Sequence, residues 1–487
     1  MKKTKKWSSR PETGSFSPVS LIRRSVFFIG NPLSTFHKAP AGERFHTDTI
    51  GPCGGQTFPC GKKESLMKRL LTLVLGIATA ATLTGTALAE GFVLSDFGAR
   101  GTALAGGMVG RADDASAVAW NPAGITQLPG THTMVGFTMI QPSGTVDAKD
   151  GSGNKVSTDV DKHTWVNPHA YLTHQYNDRL WFGLGLFSRF GLGNSYPNDW
   201  PGRYNLEYIS LQTISLNPNV AYKVNDKLSL AMGVEIMGAN MLMKKDQMLP
   251  KDQGGHSVQN RLDGQSVALG INLAAHYKFN DQWAAGLTWR SGVSQHVKGK
   301  SKFKSDIPGL EAAISPKMNS DLHGNLHLPD QFSAGVTWRP TEDLSFEAGA
   351  VYTVWSRYRS LNIHLEDPMN RTVTSQKNWH DTWAFNLSAE YQALDWLTLR
   401  AGYIYETSCM DDSTADYMTP SNGRQRFTAG VGFQWDNWTL DLAYAYLIIK
   451  PLDYTQAAAS MLNSGVRPGR SHNGSSHLAA MSLGYKF

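Results

Sequence analysis

From Thr131 to Phe487 the chain consists of strand-length runs in which apolar and non-apolar residues alternate. Such a period of two sends successive side chains to opposite faces of a sheet. Between Leu180 and Arg189, one face carries Leu180, Phe182, Leu184 and Leu186, and the other carries Trp181, Gly183, Gly185, Phe187 and Arg189. Further on, Leu228, Leu230, Met232, Val234 and Ile236 share a face. Opposite them lie Ser229, Ala231, Gly233, Glu235, Met237, Ala239, Met241, Met243 and Lys245. An apolar face backed by small, mixed and charged residues is the pattern of a barrel wall between lipid and a filled lumen. A soluble sandwich has the same period with its apolar face turned inward.

The spacing of the turns favours the membrane. Short turns rich in turn formers occur at Asn177-Asp178, Asn225-Asp226, Asn280-Asp281, Thr341-Glu342-Asp343, Ala393-Leu394-Asp395 and Asp436-Asn437. Long polar connections fall near 143–160, 191–206, 244–261, 299–322, 358–377, 407–423 and 450–473. Short turns on one side and long loops on the other are the asymmetry of outer-membrane barrels, and the runs number about fourteen. Loops 299–322 and 450–473 are too irregular to assign. Trp283, Trp289, Trp338, Trp355, Tyr358, Trp379, Trp383, Trp396, Trp435 and Trp438 lie near strand ends, as interfacial girdles do. The chain ends on an aromatic, Phe487. Mean hydropathy of −0.32 excludes a bundle of apolar transmembrane helices. The expected fold is all-β, a transmembrane antiparallel barrel.

The first ninety residues differ from the rest. Residues 1–66 are basic, Pro- and Gly-rich and patternless, and read as an upstream extension with a misassigned start. From Met67 to Ala89 the chain reads as a signal peptide. Lys68 and Arg69 are its positive region, Leu70 to Ala81 its apolar core, and Ala87-Leu88-Ala89 its cleavage site. The whole chain has 46 basic and 40 acidic residues; taking away 13 and 4 with residues 1–89 leaves 33 and 36, a net charge of −3. The apparent excess of +6 is therefore no argument for nucleic acid. Cys53 and Cys60 fall in the part removed, and Cys409 has no cysteine left to pair with.

Residues 90–130 are rich in Gly and Ala, break at Asn121-Pro122-Ala123 and do not alternate. A small compact segment ahead of a wall (131–487) suggests a plug, and a plug argues for a gated passage rather than a catalyst.

At this point the chain resembles the FadL-type outer-membrane transporters of long-chain fatty acids and aromatic hydrocarbons. The resemblance rests on Gly91-Phe92, Gly-x-Ala-x-Ala-Gly at Gly101 to Gly106, Ala112-Asp113-Asp114-Ala115, Asn121-Pro122-Ala123 and Phe187-Ser188-Arg189-Phe190-Gly191-Leu192. Trp200-Pro201-Gly202-Arg203-Tyr204, Leu216-Asn217-Pro218, Leu328-Pro329, Leu399-Arg400-Ala401-Gly402-Tyr403 and the last strand also fit. It implies fourteen strands, an N-terminal hatch, a kink in the third strand that leaves a lateral gap, and passive uptake without ATP or cofactor. It further implies a bacterial outer-membrane location, a monomer, and hydrophobic small molecules and outer-membrane lipid as partners.

Candidate ligand contacts are Met237, Met241 and Met243, whose thioethers adapt to a flexible chain, with Lys244 and Lys245 at the strand end. Lys245 stands where the family has a basic residue near its ligand; the plain alternative is a rim lysine facing water. Phe187, Ser188 and Arg189 complete the set. Arg189 reads either as a carboxylate partner or as an ion-pair partner of Glu207. Gate residues are Phe92 as a stopper, Asn121, Pro122 and Ala123 as the anchor of the hatch, and Gly191 in the kink. Asp113 and Asp114 read as hydrogen-bonding groups within the hatch rather than a cation site. The main rival from another class is an outer-membrane lipid-modifying enzyme. No Gly-x-Ser-x-Gly elbow and no His-Glu-x-x-His motif occurs in the sequence.

Overall fold

The alternating runs form a closed antiparallel wall. The computed structural model describes residues 91–249, 255–419, 422–461 and 464–487; the expected extension 1–66 and signal peptide 67–89 lie outside the described residues. The wall strands are β1 (Thr131–Lys149), β2 (Trp165–Gln175), β3 (Leu180–Phe187, resuming as Gly191–Ser195), β4 (Tyr208–Lys223) and β5 (Leu228–Met248). Next come β6 (Ser257–Lys278), β7 (Trp283–Arg290, resuming as Val293–Lys304), β8 (Ser320–Leu328, resuming as Gln331–Trp338) and β9 (Leu344–Thr353, resuming as Ser360–Leu365). The circuit continues with β10 (Arg371–Gln376, resuming as Thr382–Leu394), β11 (Leu397–Glu406), β12 (Arg424–Trp435), β13 (Trp438–Ile449) and β14 (Gly469–Lys486). β14 closes on β1 with His132 opposite Lys486 and Val135 opposite Leu483. This gives the expected fourteen strands.

Alternation decides which face meets lipid. On β3, Phe182, Leu184 and Leu186 are exposed while Trp181, Gly183, Gly185 and Phe187 are buried. On β6 the outward row from Tyr277 through Leu273, Ile271 and Leu269 to Val267 is exposed. Ten residues rise roughly 34 Å along a strand. At the usual tilt that spans about 25 Å, the height of a lipid-facing band. Three short turns share one device. The Oδ1 atoms of Asn177, Asn225 and Asn280 each accept two backbone N–H groups, two and three residues on.

Above the band the strands run further than expected. Residues 244–248, 257–261 and 299–304 continue β5, β6 and β7, and 360–365 with 371–376 form a hairpin where a loop was expected. Within 299–322 lies a helix, Leu310–Met318, and within 450–473 a three-residue strand, Leu452–Tyr454. In these extensions the outer face turns polar while apolar residues point inward, as Leu361, Ile363 and Leu365 do between Ser360, Asn362 and His364.

Residues 91–130 lie inside the wall. They contain α1 (Ala99–Ala103), α2 (Ala117–Trp120) and a 3-10 turn, Pro122–Gln127. Small buried side chains let this segment approach the wall closely. A Cβ on Gly286 of β7 would come within 1.9 Å of the Val109 carbonyl oxygen, so glycine is required there.

Candidate functional site

Two interiors lie one above the other. The lower one is the polar junction of hatch and wall. Glu347 of β9, fully buried, accepts the backbone N–H groups of Val109, Gly110 and Arg111 at 2.8, 3.1 and 2.8 Å, and the Thr337 hydroxyl at 2.8 Å. Arg290 of β7 donates to the Val118 and Ala119 carbonyls. Arg100 of the hatch forks onto Glu390 at 2.8 and 2.7 Å and also reaches Asp113. Arg426 pairs with Asp96 at 2.8 Å. Asp113 also meets Arg339, and Asp114 accepts from Ser116, so both aspartates are hydrogen-bonded. Asn121 caps the end of α2 and the start of the 3-10 turn, in which Pro122 is the first residue. Its side chain accepts from Ala123 N–H and donates to the carbonyls of Val109 and of Ala275 in β6.

The upper interior is apolar. Phe92 sits in a box of rings, 4.8 Å from Trp355, 5.6 Å from Tyr358 and from Trp379, and 6.3 Å from Phe190 between centroids. Trp355, Tyr358 and Trp379 are therefore not girdle residues, as their sequence positions suggested. They fall at breaks within β9 and β10, where the chain leaves the alternating wall and turns inward. Trp283, Trp338, Trp383, Trp435 and Trp438 are exposed, as girdle rings are. Above the box stand Met237, Met241 and Met243, all buried on the inner face of β5. Tyr196 stacks on Trp200 at 4.0 Å over the same cluster.

β3 breaks where expected, over Ser188–Phe190. The Ser188 hydroxyl donates to the Thr213 carbonyl, and the Phe190 N–H donates to the Thr213 hydroxyl. Past the break the strand pairs with β4 on one side only. Turned inward, it binds the start of the hatch: Leu94 N–H donates to Arg189 C=O at 2.8 Å and Gly191 N–H to Phe92 C=O at 2.9 Å. Residues 165–169 of β2 pair with β1 but not with β3. The result is a window in the wall, closed at its top by Asp161 N–H donating to the Ser195 carbonyl. The Trp165 ring fills it, lying where a Cβ on Gly193 would be at 2.0 Å.

Of the expected contacts, the three methionines come together, and Lys245 joins them at the upper rim, half-buried. Lys245 faces Arg371, Lys377 and Asp416. Burial lowers its pKa from the ordinary lysine value, Arg371 adds to that, Asp416 opposes it and Lys377 adds again. Lys244 points to the other face, with its ammonium 5.4 Å from the Tyr208 ring centroid, and is not part of the chamber. Phe187 lies below the break, 5.3 Å from Phe97 of the hatch, so it braces the hatch. Arg189 does not pair with Glu207. It is fully buried and bonds Glu235 at 2.7 Å, because the inward turn carries it across the lumen. Glu207 accepts from Gln259 instead. Gly191 fits closely against Leu94.

Sequence reading missed Lys377, which is buried, ion-paired with Asp416 and 3.4 Å from the Met418 sulfur. Its one signal is the aromatic neighbour Trp379.

The family model described as "Outer membrane protein transport protein (OMPP1/FadL/TodX)" matches residues 80–487. Outer membrane protein P1 of Haemophilus influenzae is 25% identical over 429 residues, 78% of this chain and 91% of that protein. A long-chain fatty acid transport protein of Escherichia coli is 23% identical over 435 residues, 81% and 95% of the two chains. Among solved structures, a Pseudomonas aeruginosa FadL homologue aligns with a TM-score of 0.73 at 20% identity, over 82% of this chain and 100% of that one. The Pseudomonas putida toluene transporter TodX aligns at 0.61 and 17% identity, over 82% and 99%. These structures show a common fold.

Proposed function

This chain belongs to the OMPP1/FadL/TodX family of outer-membrane transport proteins, and we propose that its own cargo is a long-chain fatty acid or a similar amphiphile. The observation that carries the reading is the charge at the end of the apolar chamber. Lys245 lies near the cations Arg371 and Lys377 and near one carboxylate, Asp416, which is already ion-paired with Lys377. An alkyl chain gains about 0.8 kcal/mol per buried CH₂, so a dozen methylenes supply most of the binding. One charged hydrogen bond of about 1.5–3 kcal/mol orients the carboxylate. Phe92 occupies the ring box as a stopper, and a ligand entering from above or through the Trp165 window displaces it. The polar hatch then shifts and the cargo passes down its gradient.

Aromatic hydrocarbons are the second reading, favoured by the four rings around Phe92. Binding of oleate and of toluene to the purified chain separates the two. Lys245→Met removes one cation from the chamber end and breaks no ion pair among the described residues. It is expected to weaken oleate about tenfold and leave toluene unchanged. Toluene binding alone, indifferent to the substitution, would move the assignment to hydrocarbons.

A further inference from the structure

Above the lipid-facing band, the resumed half of β7 turns Lys298, Lys300, Lys302 and Lys304 to the outer face, all exposed. Val293, Gln295, Val297, Ser301 and Phe303 between them are buried inward. Lysines at every second position over seven residues form a row roughly 20 Å long. Its lowest member is fixed in height by register. Lys298 stands opposite Gln265, two residues above Val267, the last exposed apolar residue of the β6 row. Lysine stems reach from there to a headgroup while lying on apolar surface. Lys302 is paired across the strands with Arg261, which bonds Asp263 at 3.4 Å, and Asp263 in turn stands opposite Lys300.

Across the barrel, β11 to β14 present Tyr405, Gln425, Ile448 and Ser475 in register, with the Lys450 ammonium 5.4 Å from the Tyr405 ring centroid in place of a row of lysines. Lys298, Lys302 and Lys304 pair with no described carboxylate; Lys300 meets Asp321 at 3.5 Å, both side chains being largely exposed. Beside the row is a groove of about 460 Å³, lined by Lys300, Ser301 and Lys302 on one side and by Asp321, Glu366 and Asp367 on the other. Three chemistries are thus stacked in order on one face. Apolar surface lies lowest, cations stand above it, and carboxylates that accept hydroxyl protons flank the cations.

We propose that this face binds a phosphorylated glycolipid of the outer leaflet, with acyl chains on Val267 and Leu269, phosphate on Lys298, Lys300 and Lys302, and sugar hydroxyls on the groove's carboxylates. Lysine binds phosphate as a point charge, and an anionic membrane surface attracts each cation near it. Uncharged sugar or free phosphate satisfies only one of the three parts. The proposal is independent of what the chamber carries.

The test is binding of hexa-acylated lipid A bisphosphate to the purified full chain in mixed micelles, beside the same lipid stripped of phosphate. The wild-type chain is expected to prefer the bisphosphate about tenfold or more. Lys298→Gln, Lys300→Gln and Lys302→Gln together should abolish that preference. Lys227→Gln with Lys278→Gln, at the opposite end of the barrel, should keep it, as should arginine at the three ladder positions. Oleate binding, measured on every variant, reports an intact barrel. Equal affinity of the wild-type chain for the two lipids, or an unchanged preference in the triple variant, would overturn the proposal. Full competition by inorganic phosphate would overturn it too, by showing a soluble-anion site.

Discussion

The two interiors of this barrel are built from opposite materials. The hatch meets the wall through carboxylates, guanidinium groups and backbone amides, with Glu347, Arg100, Arg290 and Arg426 at its centre. The chamber above is lined mainly by rings, thioethers and aliphatic chains, with a few buried polar groups such as Arg189 over the Phe190 ring and Gln295 on the Met237 carbonyl, up to Lys245 and Lys377 at its rim. The contrast assigns the work. A polar junction can exchange its partners for water when it opens, at modest net cost per hydrogen bond. An apolar chamber gains by holding an alkyl chain and loses by holding water. The junction is the part suited to move, and the chamber the part suited to bind.

The strongest way to break this division is at Glu347. Glu347→Ala strands three buried N–H groups of the hatch, a loss of about 3–5 kcal/mol at the junction. Small-solute leak through reconstituted barrels should rise sharply while oleate affinity stays near wild type. Unchanged tightness would mean that the junction does not seal the barrel. Next in size is Trp355→Ala, which opens the box around Phe92 and removes a fully buried ring, at a cost of about 3 kcal/mol or more. Ligand affinity should fall by one to two orders of magnitude with no added leak; a leak would show that the chamber also seals.

The smallest effect is a pH dependence in the segment over the chamber. Burial raises the Glu207 carboxyl to about 7, and its hydrogen bond and charge contact with Asp246 push the same way. Its folded value lies above the ordinary 4.5, so the folded chain holds this proton more tightly than the unfolded chain does. The group's contribution is most favourable below pH 4.5 and is lost as pH rises through about 7. Amide exchange in 196–207 should therefore speed up between pH 5 and 8, beyond the intrinsic base catalysis, and Glu207→Gln should flatten the change. Equal slopes in both chains would remove Glu207 from the account.

How much of this was legible in the sequence follows the same division. The wall was readable because lipid on one side and hatch on the other impose strict alternation, as in β3 and β5. Met237, Met241, Met243 and Lys245 could be placed on one face by counting in twos. The ring box could not. Trp355 and Trp379 sit in breaks of β9 and β10, where no period connects a residue to its direction. The fate of Arg189 was equally hidden. An inward turn of three residues exchanges one expected partner, Glu207, for another, Glu235, on a strand two places away. Lys377 and Asp416 are 39 positions apart, on irregular segments at either end of the β10–β11 hairpin, and local sequence carries no sign of that contact.

The central claim is that cargo binds in a still chamber and passes only when the hatch moves. Thr126 of the hatch and Ser229 of β5 have hydroxyls 2.7 Å apart, close enough for a disulfide between cysteines at these positions. The decisive measurement is oleate uptake into liposomes holding the Thr126→Cys, Ser229→Cys chain, with Cys409→Ser, in oxidised and reduced states. The account predicts unchanged oleate binding in both states, with passage lost on oxidation and restored by reductant. Equal passage in the two states would contradict it, and would send the cargo around a hatch that never moves.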